Sequence, residues 1–409
     1  MTDKVTPFTG ASRLTNPVST DQNWVRTWGA APQSPDASVA AVAPFANSTL
    51  RQEVRISGGG RRARMRFTNE YGTAPLVIGA ARLGLAAPGG GIQPGSDRVL
   101  TFAGRPAATV PAGAPILSDP VDLHLPPLSR ISISLWLPES VDTCTCHGSD
   151  LQPGWSIPGN AVAAAALPGS AVLLPAQAFI SAVEVLSDAS ARTIVVLGDS
   201  LSEGAGSTPG ANHAWPDLLA ERLAGRVGPA VCISNQGING NRLLNEGFGA
   251  SALARFDRDV LATPGLGYVV VFEGADIVIS FAPRNGEGPM SQFLAGFPGA
   301  PVTADDMIAG YCQLIARTRA RGVKIYAATL GPYGASDLFS GEGETVRQTV
   351  NTWIRTSGAF DGILDFDAAW RDPARPGFVR EEFLAEDRLH GNDAGYRALA
   401  ESIDLSLFS

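Results

Sequence analysis

A chain of 409 residues, 44% of them hydrophobic, is too long for one ordinary core and rich enough in apolar side chains to fill two. Its 39 acidic and 31 basic residues leave a formal net charge of -8, spread without long runs, which argues against a nucleic-acid surface and favours a neutral or weakly polar substrate. No stretch approaches the roughly 18 to 20 apolar residues of a membrane span, so a soluble protein is expected.

The opening Met1-Thr2-Asp3-Lys4-Val5-Thr6-Pro7 lacks a charged segment followed by an apolar one. A cytoplasmic location is therefore the default expectation, with secretion open to a trimmed chain. Residues 1–23, with Thr, Ser, Pro and Asn prominent, read as an extended arm. Residues 24–187 read as an all-β sandwich, jelly-roll-like: β-rich runs at Leu50 to Ser57, Arg62 to Asn69, Leu76 to Leu85 and Ile131 to Leu137 are separated by Gly, Pro and Asn clusters without intervening helices. The alternation Arg62-Ala63-Arg64-Met65-Arg66-Phe67 puts arginines on one face and apolar groups on the other, as in a half-solvated strand; a carbohydrate-binding face is the competing reading.

Ser187-Asp188-Ala189-Ser190 is a small polar boundary, and beyond it the pattern changes to alternating strands and helices over residues 191–409. Strands are expected at Thr193 to Leu197, Val231 to Ser234, Tyr268 to Phe272, Val323 to Thr329 and Gly362 to Phe366. Helices are expected at Ala214 to Leu223, Ala304 to Arg321, Glu342 to Thr356 and Asp393 to Leu405. Such alternation predicts a three-layer α/β/α unit with a flavodoxin-like parallel sheet, whose strands all end on the edge where these sheets bind ligands.

Four cysteines supply no even disulfide framework for a chain of this size. Cys232 and Cys312 sit in apolar contexts and are expected to be buried and inert. Cys144-Thr145-Cys146-His147 lacks the fourth ligand and the usual C-x2-C spacing of a structural zinc site, so a loop with redox-sensitive thiols is preferred to metal.

The chemistry concentrates around Gly198-Asp199-Ser200-Leu201-Ser202, on a strand-to-helix turn, and Asp387-Arg388-Leu389-His390, before the last helix. A serine hydroxyl attacks well only when a base removes its proton, and histidine does this near neutral pH. His390 is the obvious base. Asp387, three residues earlier, is placed to hold one imidazole nitrogen while the other faces Ser200; helix capping ahead of Asp393 is the alternative for that carboxylate. His124, His147 and His213 read as surface or structural histidines, with His213 also near enough to line a pocket. Asp199 reads as a brace for the nucleophile loop, and Trp215-Pro216 as packing for its helix. Glu203 is close enough to touch substrate, although a solvated carboxylate at a helix start is the plainer account.

Together with Asn235-Gln236-Gly237-Ile238-Asn239-Gly240 and Asn392-Asp393-Ala394-Gly395-Tyr396, these segments resemble the SGNH or GDSL-type serine hydrolase family, over roughly Ala191 to Ser409. The β-rich half is similar, without diagnostic motifs, to the extra domain of some xylan-associated members. The resemblance implies Ser200 as nucleophile, His390 as base and then acid, and Asp387 as its orienting partner. It also implies an oxyanion hole built from the N–H groups of Ser200 and Gly240 and from an asparagine amide. The implied Gly-x-Asn-Asp reads here as Gly274-Ala275-Asp276-Ile277, so in the gapless register Asp276 replaces the amide donor.

An ionised carboxylate has no proton to donate, and loss of one such donor costs about 2.7 to 4 kcal/mol of transition-state stabilisation. Three escapes are open: Asp276 is protonated by burial, another amide such as Asn239, Asn241 or Asn285 donates instead, or the loop serves another reaction. If Asp276 occupies the hole, Asp276→Asn raises turnover. Phe281 to Pro301, long and rich in Gly and Pro, is the candidate lid or specificity loop.

The resulting expectation is a hydrolase of short-chain acyl esters working through an acyl-enzyme, with Asn239, Asn285 and Glu203 as candidate substrate contacts. Its partner is a small-molecule or saccharide ester, and oligomeric state stays open. The alternatives are a deacetylase of xylan-type polysaccharide and a glycan-binding protein impaired in catalysis. No phosphate loop or dinucleotide fingerprint is present, so no cofactor is expected, and the chemistry calls for no metal.

Overall fold

The computed structural model describes residues 23–35, 44–148, 151–226, 228–284, 294, 297 and 301–409. In the first half, two antiparallel sheets face each other. One joins Asn23–Gly29, Ile180–Ser187, Gly60–Thr68 and Val121–Leu125; the other runs from Val172–Leu173 through Gly154–Pro158, Ser48–Arg55 and Arg130–Leu137 to Ala80–Ala87 and Gly91–Ile92. Leu50, Val54, Ile131, Ile133 and Leu135 of the second sheet share one hydrophobic cluster with Met65, Phe67, Val183 and Val185 of the first, so the inner faces form a single dry layer. The alternation read at Arg62 to Phe67 holds: Ala63, Met65 and Phe67 are buried, while Arg64 pairs with Glu184 at 2.7 Å and Arg66 with Glu70 at 2.9 Å.

Asn23–Gly29 is the first described strand. It pairs antiparallel with Ile180–Ser187, and its Arg26 N–H donates to Thr193 Oγ1 across to the second half.

The second half is built on five parallel strands, numbered here β1 (Arg192–Gly198), β2 (Val231–Gly237), β3 (Leu266–Phe272), β4 (Lys324–Ala328) and β5 (Gly362–Leu364), in spatial order β2-β1-β3-β4-β5. The helices that matter below are α1 (Ser200–Glu203), α2 (Trp215–Ala224), α3 (Ala275–Phe281), α4 (Ala304–Arg319), α5 (Gly341–Thr356) and α6 (Asp393–Ser402). Helix α2 packs on α6, whereas α5 packs on α3 and α4. Ile194, Val195, Val196 and Leu197 are all fully buried, which explains why the central strand reads as a continuous apolar run and not as an alternation.

The order reverses at β1, between β2 and β3, and ligands bind at the carboxyl ends of strands at such a switch point. Ser200 follows β1, Gly240 follows β2 and Gly274 follows β3. The two halves are closely joined: Ser57 exchanges hydrogen bonds with Ile233 N–H and C=O at 2.7 and 3.0 Å, Arg55 pairs with Glu221 at 2.7 Å, and the thiol-bearing Cys232 of β2 belongs to the sandwich core. No helix among the described residues is long and apolar enough to cross a membrane.

Candidate active site

Helix α1 has only four residues and is held at its start by Asp199. The Asp199 side chain accepts from Leu201 N–H at 3.0 Å, from Gly274 N–H at 3.0 Å and from Ala275 N–H at 3.1 Å, so one carboxylate ties the Ser200 turn to the loop after β3. Burial pushes this carboxyl upward, and the three donors and the charge of His390 work the other way. Glycine is required beneath the turn, because a Cβ on Gly198 would lie 2.2 Å from Ser202 Oγ and one on Gly237 would lie 2.4 Å from Glu203 N. Arg255, wholly buried, donates to the carbonyls of Gly198 and Gln236 at 3.2 and 2.7 Å and pins the ends of β1 and β2 together.

The turn Asp387 to His390 folds through Arg388 at φ 59°, with Asp387 Oδ1 accepting from Leu389 and His390 N–H, each at 3.0 Å. That leaves Asp387 Oδ2 for His390 Nδ1, 2.5 Å away, while His390 Nε2 lies 2.8 Å from Ser200 Oγ. A carboxylate only accepts, so Nδ1 carries the proton and Nε2 offers a lone pair to the Ser200 hydroxyl. Capping of α6 falls to Asn392, whose side chain accepts from Gly395 N–H, and Asp387 is free for the imidazole. Burial opposes ionisation of Asp387, but the hydrogen bond and charge of His390 and the two backbone donors outweigh it and hold the carboxyl well below its usual range.

A cavity of about 440 Å³ opens beside Ser200 and His390, walled mainly by Phe248, Ile277, Val278, Leu330, Tyr333 and Leu338. Sequence reasoning missed these wall residues, which come from three separate segments and carry no local pattern. Ser200, Asn239, Gly240, Asp387 and His390 all border it. The N–H groups of Ser200 and Gly240 have no hydrogen-bond partner among the described residues. Gly240 sits at φ 69°, and a Cβ there would meet the Phe248 ring at 2.5 Å, so both backbone and space demand glycine.

Asp276 is not where the gapless register put it. Its carboxylate accepts from Asn245 Nδ2 at 2.9 Å, from Leu244 N–H at 3.3 Å and from Leu243 N–H, fastening the loop after β2 to α3. It does not border the Ser200 cavity. Burial pushes its carboxyl up, against those three donors and the nearby Arg242 charge. Asn241 is equally committed, donating to Phe248 O and Ala250 O at 3.0 and 2.9 Å and accepting from Arg255 Nε. Asn239 is exposed, and its amide has no partner among the described residues. Asn285 and most of the Phe281 to Pro301 loop lie outside the described residues.

Other expectations change as well. Glu203 borders a separate polar cavity between the two halves, with its side chain 8% exposed and 3.5 Å from His147, and does not border the Ser200 cavity. His213 borders that same polar cavity and pairs with Asp393 at 2.7 Å. Cys144 and Cys146 are buried, and burial raises the Cys144 thiol well above its usual range, which makes a redox-sensitive loop the wrong reading. Cys232 is buried as expected, its thiol pushed up to about 12, but Cys312 is exposed on the outer face of α4. No cluster of three or more metal-binding side chains occurs among the described residues. Trp215 is fully buried against Phe366, in agreement with a packing role.

Residues 196–398 match the model of the GDSL-like lipase/acylhydrolase family. No curated protein matches the chain. Among solved structures, a lipase/acylhydrolase from Enterococcus faecalis is 20% identical, covering 52% of this chain and 92% of that one with a TM-score of 0.37. An acetyl xylan esterase from Geobacillus stearothermophilus is 19% identical, with 53% and 94% covered and a TM-score of 0.39. The psychrotrophic esterase EstA from Pseudoalteromonas is 18% identical, with 52% and 93% covered and a TM-score of 0.35.

Proposed function

Since residues 196–398 form a GDSL-like lipase/acylhydrolase domain, we propose that the protein hydrolyses carboxylic esters of short acyl chains through an acyl-enzyme on Ser200. The observation that carries this reading is the unbroken line from Asp387 Oδ2 to His390 Nδ1 at 2.5 Å and from His390 Nε2 to Ser200 Oγ at 2.8 Å. As Ser200 Oγ bonds to the carbonyl carbon, His390 Nε2 takes its proton and Asp387 stabilises the resulting imidazolium. The imidazolium then protonates the departing alkoxide. A water attacks the acyl-enzyme, gives its proton to the same nitrogen, and releases the acid and the Ser200 hydroxyl.

The oxyanion is received by the free N–H groups of Ser200 and Gly240, with the Asn239 amide as third donor in place of the committed Asp276 and Asn241. Apolar walls favour an acyl or aryl group in the cavity over a sugar ring, which needs polar partners for its hydroxyls. The arginines of the half-solvated strand are tied to Glu184 and Glu70, which weakens the glycan-binding alternative. The reading is tested with an alkyl nitrophenyl phosphonate, whose mass is expected on the Ser200 peptide and absent in Ser200→Ala. Protein that stays unlabelled and inert toward nitrophenyl acetate removes it.

A further inference from the structure

The Cys144-Thr145-Cys146-His147 segment has a use that involves neither metal nor thiol chemistry. Cys144 and Cys146 are buried in the sandwich core, Cys146 exchanges backbone hydrogen bonds with Gln33 at 2.7 and 3.1 Å, and Thr145 Oγ1 accepts from Tyr71 N–H at 2.9 Å. These anchors leave His147, 6% exposed, facing the other half of the molecule. Its Nδ1 lies 3.1 Å from the Ala31 carbonyl, and its Nε2 lies 3.5 Å from Glu203 Oε1, the last residue of α1.

The hydrogen-bond chemistry constrains this pair. A carbonyl only accepts, so Nδ1 must carry a proton. In a neutral imidazole Nε2 is then a lone pair turned toward a carboxylate, which is repulsive. A proton shared between Nε2 and Oε1 makes the contact attractive. Both side chains are less than a tenth exposed, and Glu203 Oε2 has no hydrogen-bond partner among the described residues, so the pair is the main polar tether of Glu203 among them.

Helix α1 is short and cannot stiffen itself. Its start is fixed by Asp199, and Asn235 Nδ2 holds the Ser202 carbonyl at 2.7 Å. Its end is held by a side chain from the other half. We propose that His147 is a positioning residue for Ser200: it clamps Glu203 and thereby α1, so the β-rich half completes the support of the nucleophile. The inference rests on Ser200 being the nucleophile. It assigns the β-rich half a task at the reaction centre that needs no glycan, and other ties across the interface, among them Arg55 to Glu221, Ser57 to Ile233 and Arg26 to Thr193, keep the halves docked while that single contact is altered.

The test is a double-mutant cycle on the full chain with nitrophenyl acetate, using His147→Ala, Glu203→Ala and the pair together, with His147→Gln as a second variant should His147→Ala fail to fold. Active sites are counted by phosphonate labelling so that kcat refers to competent enzyme only. The expected result is a fall in kcat of about tenfold for each single variant, KM within about twofold of the parent, and no further loss in the double variant. Glu203→Gln is expected to recover most of the loss, because its amide N–H donates to the Nε2 lone pair of a neutral His147. Unchanged kcat in both alanine variants, additive losses, or Glu203→Gln as slow as Glu203→Ala overturns the proposal. A parent protein that neither turns over ester nor takes up label overturns the hydrolase reading itself and this inference with it.

Discussion

Asn245 Nδ2 donates to Asp276 Oδ1 at 2.9 Å, so the carboxylate that replaces an amide in the gapless motif works as a clasp between the loop after β2 and helix α3. Its other oxygen receives Leu243 and Leu244 N–H. Asp276→Asn is therefore expected to leave turnover unchanged or lower and not to raise it. The variant exchanges a multiply bonded carboxylate for an amide with one acceptor oxygen, which costs about 1 to 3 kcal/mol. Urea unfolding beside a nitrophenyl acetate assay checks both; a gain in kcat would return Asp276 to the oxyanion hole.

Asn239 borders the Ser200 cavity, and its amide has no hydrogen-bond partner among the described residues, so it is the donor proposed above. Asn239→Ala should lower kcat by roughly 10²- to 10³-fold with little change in KM, the signature of a contact made in the transition state. A loss confined to KM would make Asn239 a substrate contact only.

The cavity predicts chain-length behaviour. Val278 stands on its wall, and Val278→Trp fills space that an acyl chain needs beyond its first carbons. Hydrolysis of hexanoate esters is expected to fall at least about tenfold relative to acetate, measured as the ratio of kcat/KM values. An unchanged ratio would place the acyl chain elsewhere.

Glu273 is fully buried, and neither of its carboxylate oxygens has a hydrogen-bond partner among the described residues. Burial, followed by the charge of Asp199, raises its carboxyl well above the usual range, and Arg255 offsets only part of this. The folded state thus holds a proton that the unfolded state releases above about pH 4.3. Stability from this group is present below that point and declines as pH rises toward the folded value. Glu273→Gln should match the parent near pH 4 and exceed it near pH 8 in unfolding free energy. A parent and variant that stay parallel across this range would refute the linkage.

Local sequence was enough for every step governed by neighbours along the chain. The continuous apolar run of β1, the helical stretches read at Ala304 to Arg321 and Glu342 to Thr356, and the turn Asp387 to His390 each express an interaction spanning a few residues, and the strand, the helices and the paired carboxylate lie close to where that logic puts them. The arginine alternation from Arg62 to Phe67 was legible for the same reason.

Tertiary structure alone decided which polar groups were already taken. Asp276 and Asn241 were eliminated as oxyanion donors by Asn245, Leu243, Phe248 and Ala250, and Glu203 was drawn from solvent to His147 by the docking of the two halves. The walls around Ser200 likewise arise from segments far apart in the chain. A hydrogen bond is claimed once, and which partner claims it depends on distances that no spacing in one dimension encodes.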